Sequence, residues 1–187
     1  MACDLANGRA ISCLESVGGV RNVFFINNGT MGKLTIDSDG QLSDVASSTD
    51  AFKYALRSET SEYVETITVS PDNGTVFYEQ TLTLSLPNLS KEALKYLKLL
   101  AQGRFQVFVE DNNVVEAKGF GQTYLMGAHN GATVTGGTVS IGKAYGDMSG
   151  YTLTITAKEQ RAAYILEEGT TTQFDALTTG TITVVTS

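Results

Sequence analysis

A chain of 187 residues with 42% hydrophobic residues has the size and apolar content for one domain with a real core, which excludes an intrinsically disordered protein. Its net charge of −7, with the acids scattered rather than in runs, argues against a surface that grips nucleic acid, because that needs clustered Lys and Arg. The same charge permits a wall that repels phosphate and lets DNA slide past.

The two cysteines, Cys3 and Cys13, make no disulfide framework, and His129 is the one histidine that could join them on zinc. Neither a metal nor a cofactor is expected. Met1–Gly8 carries Asp4 and Asn7 where a secretion signal would need an apolar segment, and no stretch approaches the ~20 apolar residues of a membrane span. The expectation is a protein made in a cytoplasm that leaves it by lysis or as part of a particle, with no membrane partner.

In chain order, Met1 to Gly19 has weak periodicity and ends in Gly18-Gly19, which reads as an N-terminal arm packing on a neighbour. Residues 20–187 read as a single β domain. Val20–Ile26 is a first strand stopped by Asn27-Asn28-Gly29, and Lys33–Ile36 a second. Asp37–Asp50 is polar and turn-rich with little to bury, so an exposed loop or a small hairpin around Asp39-Gly40 is predicted.

A long hairpin over residues 62–86 follows, its arms split by Pro71-Asp72-Asn73-Gly74, where Asn-Gly suits the positive φ of a tight turn. In the second arm Val76, Tyr78, Leu82, Leu84 and Leu86 share one face. Phe77, Glu79, Thr81, Thr83 and Ser85 share the other, so one face meets a core and the other meets water or a polar partner.

One helix is predicted at about 90–102, with Ser90 as N-cap and Gly103 as stop. Leu94, Leu97, Leu100 and Ala101 form an apolar stripe that should dock on a sheet, leaving Lys91, Lys95 and Lys98 toward solvent. Arg104–Glu110 is a strand with Phe105, Val107 and Val109 on one face, and Asp111-Asn112-Asn113 turns it into a strand at Val114–Lys118. Further strands are predicted near Thr123–Met126, Thr133–Ile141, Tyr151–Ala157 and Gly180–Thr186. The fold class is mostly β, about nine to eleven strands in a sandwich or barrel with one flanking helix.

Nothing in the chain gathers into a reactive constellation. His129 sits in a turn beside Asn130-Gly131 and reads as an exposed loop residue, with no nucleophile-elbow pattern to serve. Gly119-Phe120-Gly121 is a fragment of a phosphate-binding pattern with no helix behind it. Glu62, Glu65, Glu79 and Glu167-Glu168 read as solvated acids, and Asp37-Ser38-Asp39-Gly40 lacks the bidentate acid of a calcium loop. No catalytic, cofactor or metal residue is assigned, and no enzyme is expected.

The order of elements resembles the major tail tube proteins of tailed bacteriophages, and more loosely the ring proteins of head-to-tail connectors. The resemblance rests on the Met1-Ala2-Cys3 arm with Cys13 and Gly18-Gly19, and on the long hairpin running through Thr81–Pro87 into the single helix. It rests also on Arg104–Asp111 and Gly146–Thr154. It implies strands joined across subunits into a ring, usually a hexamer, and rings stacked into a tube whose acidic lumen conducts DNA without binding it specifically. It further implies a virion tail protein with other tail proteins as partners, made in the host bacterial cytoplasm. On this reading Glu79, Thr81 and Thr83 are lumen candidates. Cys3, Leu5 and Cys13 of the arm, with Asp39, Gly40 and Leu42 of the loop, are inter-subunit candidates. A head–tail connector ring, a capsid decoration protein, and a soluble β-sandwich binding module are the alternatives. The last is weakened by the absence of Trp.

Overall fold

The structure, a computed structural model, describes Gly8 and residues 16–57, 59–88, 91–114 and 116–186, with the side chains of Glu92 and Ala93 excepted. The arm residues Cys3, Leu5 and Cys13 and the expected cap Ser90 lie outside the described residues.

The chain is mostly β, with twelve strands in three sheets and one short helix among the described residues. In order these are β1 (Val20–Asn27), β2 (Leu34–Ile36), β3 (Leu42–Val45), β4 (Thr49–Ala55), β5 (Glu62–Ser70) and β6 (Thr75–Pro87). The helix α1 (Lys91–Gln102) is followed by β7 (Phe105–Asp111), β8 (Thr123–Met126), β9 (Thr133–Ser140), β10 (Gly150–Glu159), β11 (Tyr164–Ile165) and β12 (Ile182–Val185). A six-stranded sheet runs β11-β8-β7-β1-β4-β12, a four-stranded sheet β5-β6-β10-β9, and β2 pairs with β3. All pairings are antiparallel except β12 on β4.

The central strands β1 and β7 of the six-stranded sheet are buried on both faces, and this governs the architecture. Val23 and Phe25 of β1 with Val107 and Val109 of β7 meet Leu82, Leu84, Leu86, Tyr151, Leu153 and Ile155 of the four-stranded sheet. Phe24, Ile26 and Phe108 point the other way. They are covered by Met31, by Leu42 and Val45 of the β2–β3 hairpin, and by Leu166, Phe174 and Leu177 of the segment before β12. A strand in such a place carries contiguous apolar residues, as Val23-Phe24-Phe25-Ile26 does, because neither face reaches water.

Three expectations are corrected. Asp37–Asp50 does not lack residues to bury, since Leu42 and Val45 are fully enclosed. Leu42 is therefore a core residue of its own subunit and no inter-subunit contact, whereas Asp39 and Gly40 remain exposed at the turn. Among the described residues of the strand predicted at Val114–Lys118 none is in a strand, and residues 116–118 are turn. There the Asp111 carboxylate accepts the N–H groups of Asn113 (3.0 Å) and Gln122 (2.8 Å), closing a loop that returns the chain directly to β8.

The helix departs from its predicted packing too. It lies against β9, and among its described side chains Leu100, buried, and Leu97, half-buried, reach the core between the sheets. Leu94 and Ala101 of the expected stripe stay exposed, because β9 and the core meet the helix along its Leu97–Leu100 side. Gly103 ends the helix by a close approach. A Cβ there would run into the edge of the Phe105 ring, and the Gly103 N–H bonds the Leu99 carbonyl at 2.9 Å.

Candidate assembly surface

Period-two alternation in β6 and β10 decides what the four-stranded sheet shows to solvent. Leu82, Leu84, Leu153 and Ile155 face the core, so their neighbours must face outward. The register then sets Thr83 opposite Thr154, Thr81 opposite Thr156 and Ser85 opposite Thr152. On the flanks, Thr138 stands beside Thr152, Thr133 beside Thr156, and Thr66 beside Glu79. The result is a wide hydroxyl-bearing face. Thr is at home there, since its β-branched stem suits a pleated surface and its hydroxyl keeps that surface wet.

The lumen candidates Glu79, Thr81 and Thr83 lie together on this face, half-buried by their neighbours. Charge is sparse on it. Glu62, Glu79 and Lys158 are the charged residues in its strand rows, and Lys158 Nζ lies 3.4 Å from Glu79 and 5.6 Å from the Phe77 ring centroid. The face is therefore hydroxylic and nearly neutral. Glu62 and Glu79 against Lys158 leave a net charge of −1 per chain on these rows.

The acids are engaged elsewhere. Among the described residues eight acids accept backbone N–H groups: Asp37, Asp44, Glu65, Glu110, Asp111, Asp147, Glu159 and Asp175. Glu159, for example, takes the N–H groups of His129 (3.0 Å) and Asn130 (2.7 Å). His129 itself is exposed, with its ring edge-on to Tyr164. Much of the net charge that the sequence displays is thus spent on fastening loops, a use that scattered Asp and Glu near Thr, Asn and Gly can signal.

Two of these fasteners hold the segment that covers the second core. Asp44 accepts from Thr178 and from the Thr179 N–H at 3.1 Å. Asp175 accepts from Thr170 (2.7 Å), Thr171 (2.6 Å) and Thr172 (3.3 Å). Hydrogen bonds from the Thr179 side chain first, then from backbone, hold the Asp44 carboxyl well below the usual carboxylate range. The Thr171 N–H foremost brings Asp175 down to about 2. A carboxylate whose pKa is lower when folded stabilises above its unfolded value near 4 and loses that contribution as pH falls through the folded value. Amide exchange across residues 170–179, corrected for intrinsic rate, should therefore accelerate between about pH 4 and pH 2. Asp175→Asn should raise it at neutral pH already. Exchange that stays flat over that window would contradict the fastening role.

A cleft of about 390 Å³ opens where the arm joins the domain, lined by Val17–Val20, Ser61–Tyr63, Val109, Asp111, Asn113 and Tyr124. Tyr63 and Tyr124 stack across it at 6.3 Å, and burial, then the Glu65 carboxylate, pushes the Tyr63 phenol up. The arm root is pinned at this mouth: Val17 N–H donates to Asn113 Oδ1 (2.7 Å) and Asn112 Nδ2 donates to the Gly18 carbonyl (3.0 Å). Among the described residues no group of three or more His, Cys, Asp or Glu is placed to hold a metal ion. Among them, too, no helix is long and apolar enough to cross a membrane.

Among the uncovered apolar side chains are Ile67, Val69 and Val76 near the β5–β6 turn, Leu94, Tyr96 and Leu99 on α1, and Ile141, Tyr145 and Met148 between β9 and β10. Sequence reading missed these as surfaces, although Ile141 and Tyr145 amid Gly and Lys were a visible signal. No protein-family model matches the chain, and no curated protein matches it.

Proposed function

We propose that this chain is a virion structural protein whose copies close into rings and stack into the tail tube of a bacteriophage, with no chemical turnover. The observation that carries this reading is the four-stranded sheet: buried on one face, hydroxylic on the other, and unpaired by any described strand on the outer sides of β5 and β9. An open edge of that length is a template for pairing with another chain. Because each strand runs opposite to its neighbour in the order β5-β6-β10-β9, β5 and β9 point in opposite directions. Copies related by a rotation axis would thus place β9 of one beside β5 of the next antiparallel, continuing the sheet without a break. Cyclic closure of that kind leaves no free edge.

In such a ring the threonine face lines the lumen, with Glu79, Thr81 and Thr83 near its middle. Phosphate is retained by clustered cations, and the one ammonium in these rows is held by Glu79. DNA would pass a wetted, nearly neutral wall with nothing to grip it.

Negative-stain micrographs and light scattering of the purified protein test the proposal. Hollow tubes are the expected result. Closed rings that never stack would favour a connector ring, and a mass equal to one chain at high concentration, with no rings, would refute self-assembly.

A further inference from the structure

The chain carries four Asn-Gly pairs, beginning at Asn7, Asn28, Asn73 and Asn130, and the last three lie among the described residues. Before a glycine, an asparagine side chain is open to attack by the following backbone nitrogen, because no Cβ stands in the way. Whether the attack occurs in a folded protein depends on what holds the carboxamide and that N–H in place. The three pairs differ in this respect.

Asn130 is the most firmly held. Its Nδ2 donates to the Lys158 carbonyl and its N–H to the Glu159 carboxylate, both at 2.7 Å, and Gly131 is buried against the Arg104 side chain. Asn28 is held less tightly. Its N–H donates to the Arg104 carbonyl at 3.1 Å, its Oδ1 lies against Gly131, and the Gly29 N–H donates to Oε1 of the buried Gln106 at 3.3 Å.

Asn73 has local contacts alone among those described. Its Nδ2 donates to the Ser70 hydroxyl at 3.0 Å, and the Gly74 N–H meets the Pro71 carbonyl at 3.2 Å. Pro71, Asp72, Asn73 and Gly74 are all exposed, and the space beside the Gly74 Cα is open. The turn also stands at the end of a hairpin that outruns its sheet. The β10 pairing stops with Glu159 opposite Tyr78, so from Thr68 and Phe77 to the turn the hairpin has two strands and no third. Two strands alone are marginal, and such an end opens before the rest.

We propose that Asn73 is a site of spontaneous self-modification, the place where this chain deamidates ahead of Asn28 and Asn130. The Gly74 nitrogen bonds to the Asn73 Cγ and gives up its proton, while the Cγ–Nδ2 bond breaks and the amide nitrogen leaves as ammonia carrying one proton in exchange. Water then opens the resulting succinimide at either carbonyl. One opening leaves an aspartate, the other an isoaspartate whose main chain runs through the former side-chain carbon. Nothing is oxidised or reduced, and solvent water is the sole co-reactant. Each event adds a negative charge beside Asp72 at the hairpin tip. The isoaspartate also lengthens the main chain of a turn whose fit sets Ser70 opposite Thr75, so it loosens the register there. The reaction belongs to the single folded chain and stands or falls apart from ring assembly.

The test ages the full chain in mildly alkaline buffer made with heavy-oxygen water, once folded and once in urea, and follows each Asn-Gly peptide by mass spectrometry. Conversion makes a peptide heavier by the difference between heavy-oxygen water and ammonia and splits it into aspartate and isoaspartate forms. In the folded chain Asn73 should convert at least about tenfold faster than Asn130, whose several hydrogen bonds must break first, and measurably faster than Asn28. In urea the three rates should converge, because the next residue is glycine in each. Asn73→Gln, checked for its fold by circular dichroism, should abolish conversion at that peptide. Asn28 or Asn130 converting as fast as Asn73 in the folded chain overturns the proposal. So does an Asn73 that stays intact when folded yet converts in urea. A ranking in urea equal to that of the folded chain would trace the preference to neighbouring sequence and overturn the structural account.

Discussion

Phe24→Ala should lower the unfolding free energy by about 3–5 kcal/mol, the range for emptying a large aromatic site in a packed core. Phe24 is 1% exposed and lies on the face of β1 that the sandwich does not use. Its ring meets Phe174 edge-on at 5.3 Å, and Phe174 in turn meets Phe108 at 5.1 Å. The cavity would therefore open between the six-stranded sheet and the segment that covers it. That segment also holds β12, the sole parallel partner of β4. Phe174→Ala should cost a similar amount, and the double variant less than the sum, because both empty the same space. Ile141→Ala, at a site 81% exposed, should stay within about 0.5 kcal/mol in the dissociated chain. Urea unfolding under dissociating conditions measures all four. A cost near that of Ile141→Ala for Phe24→Ala would mean that the second core is not packed as described.

That second core also marks the limit of what the sequence discloses. Alternation made the four-stranded sheet readable, because β6 and β10 have one wet face, and so Leu82, Leu84 and Leu86 were assignable to a core from pattern alone. Strands wetted on neither face lose that signal. In β7, Gln106 and Glu110 look like a solvent face but are buried, Gln106 satisfied by the Ala128 carbonyl and Glu110 by Asn22 of β1 and by Gly121 and Gln173 of two loops. Asp37–Asp50 misleads in the same way: its polar residues make the turn and the fasteners, while Leu42 and Val45 alone carry the burial. The helix misleads in the opposite sense. Its 3–4 spacing describes an amphipathic face, but what covers that face is set by neighbours far away in sequence. The hydroxyl face was legible down to its residues, whereas its neutrality was not, because pairing of Lys158 with Glu79 depends on register.

Glu110→Ala should cost about 3–5 kcal/mol, because it strands donors in the interior. The Glu110 side chain is 1% exposed. It accepts from Asn22 Nδ2 at 2.6 Å, Gln173 Nε2 at 2.8 Å and the Gly121 N–H at 3.2 Å, tying together β1, the covering segment and the loop after β7. Each buried donor left without a partner costs about 1–3 kcal/mol, relieved where water enters. The Arg21 guanidinium stands 3.7 Å away but is 42% exposed, so Arg21→Ala should cost about 0–1 kcal/mol. The ordering of these two variants separates hydrogen bonding from ion pairing as the main role of Glu110. A larger loss from Arg21→Ala would reverse that assignment. The adjoining Asn112 and Asn113 hold the arm root at Gly18 and Val17, so loosening this loop should also displace the arm. If the arm contributes to stacking, Glu110→Ala protein that remains folded should assemble at higher concentration than the parent, which sedimentation can measure. Unchanged assembly with lowered stability would confine Glu110 to the fold.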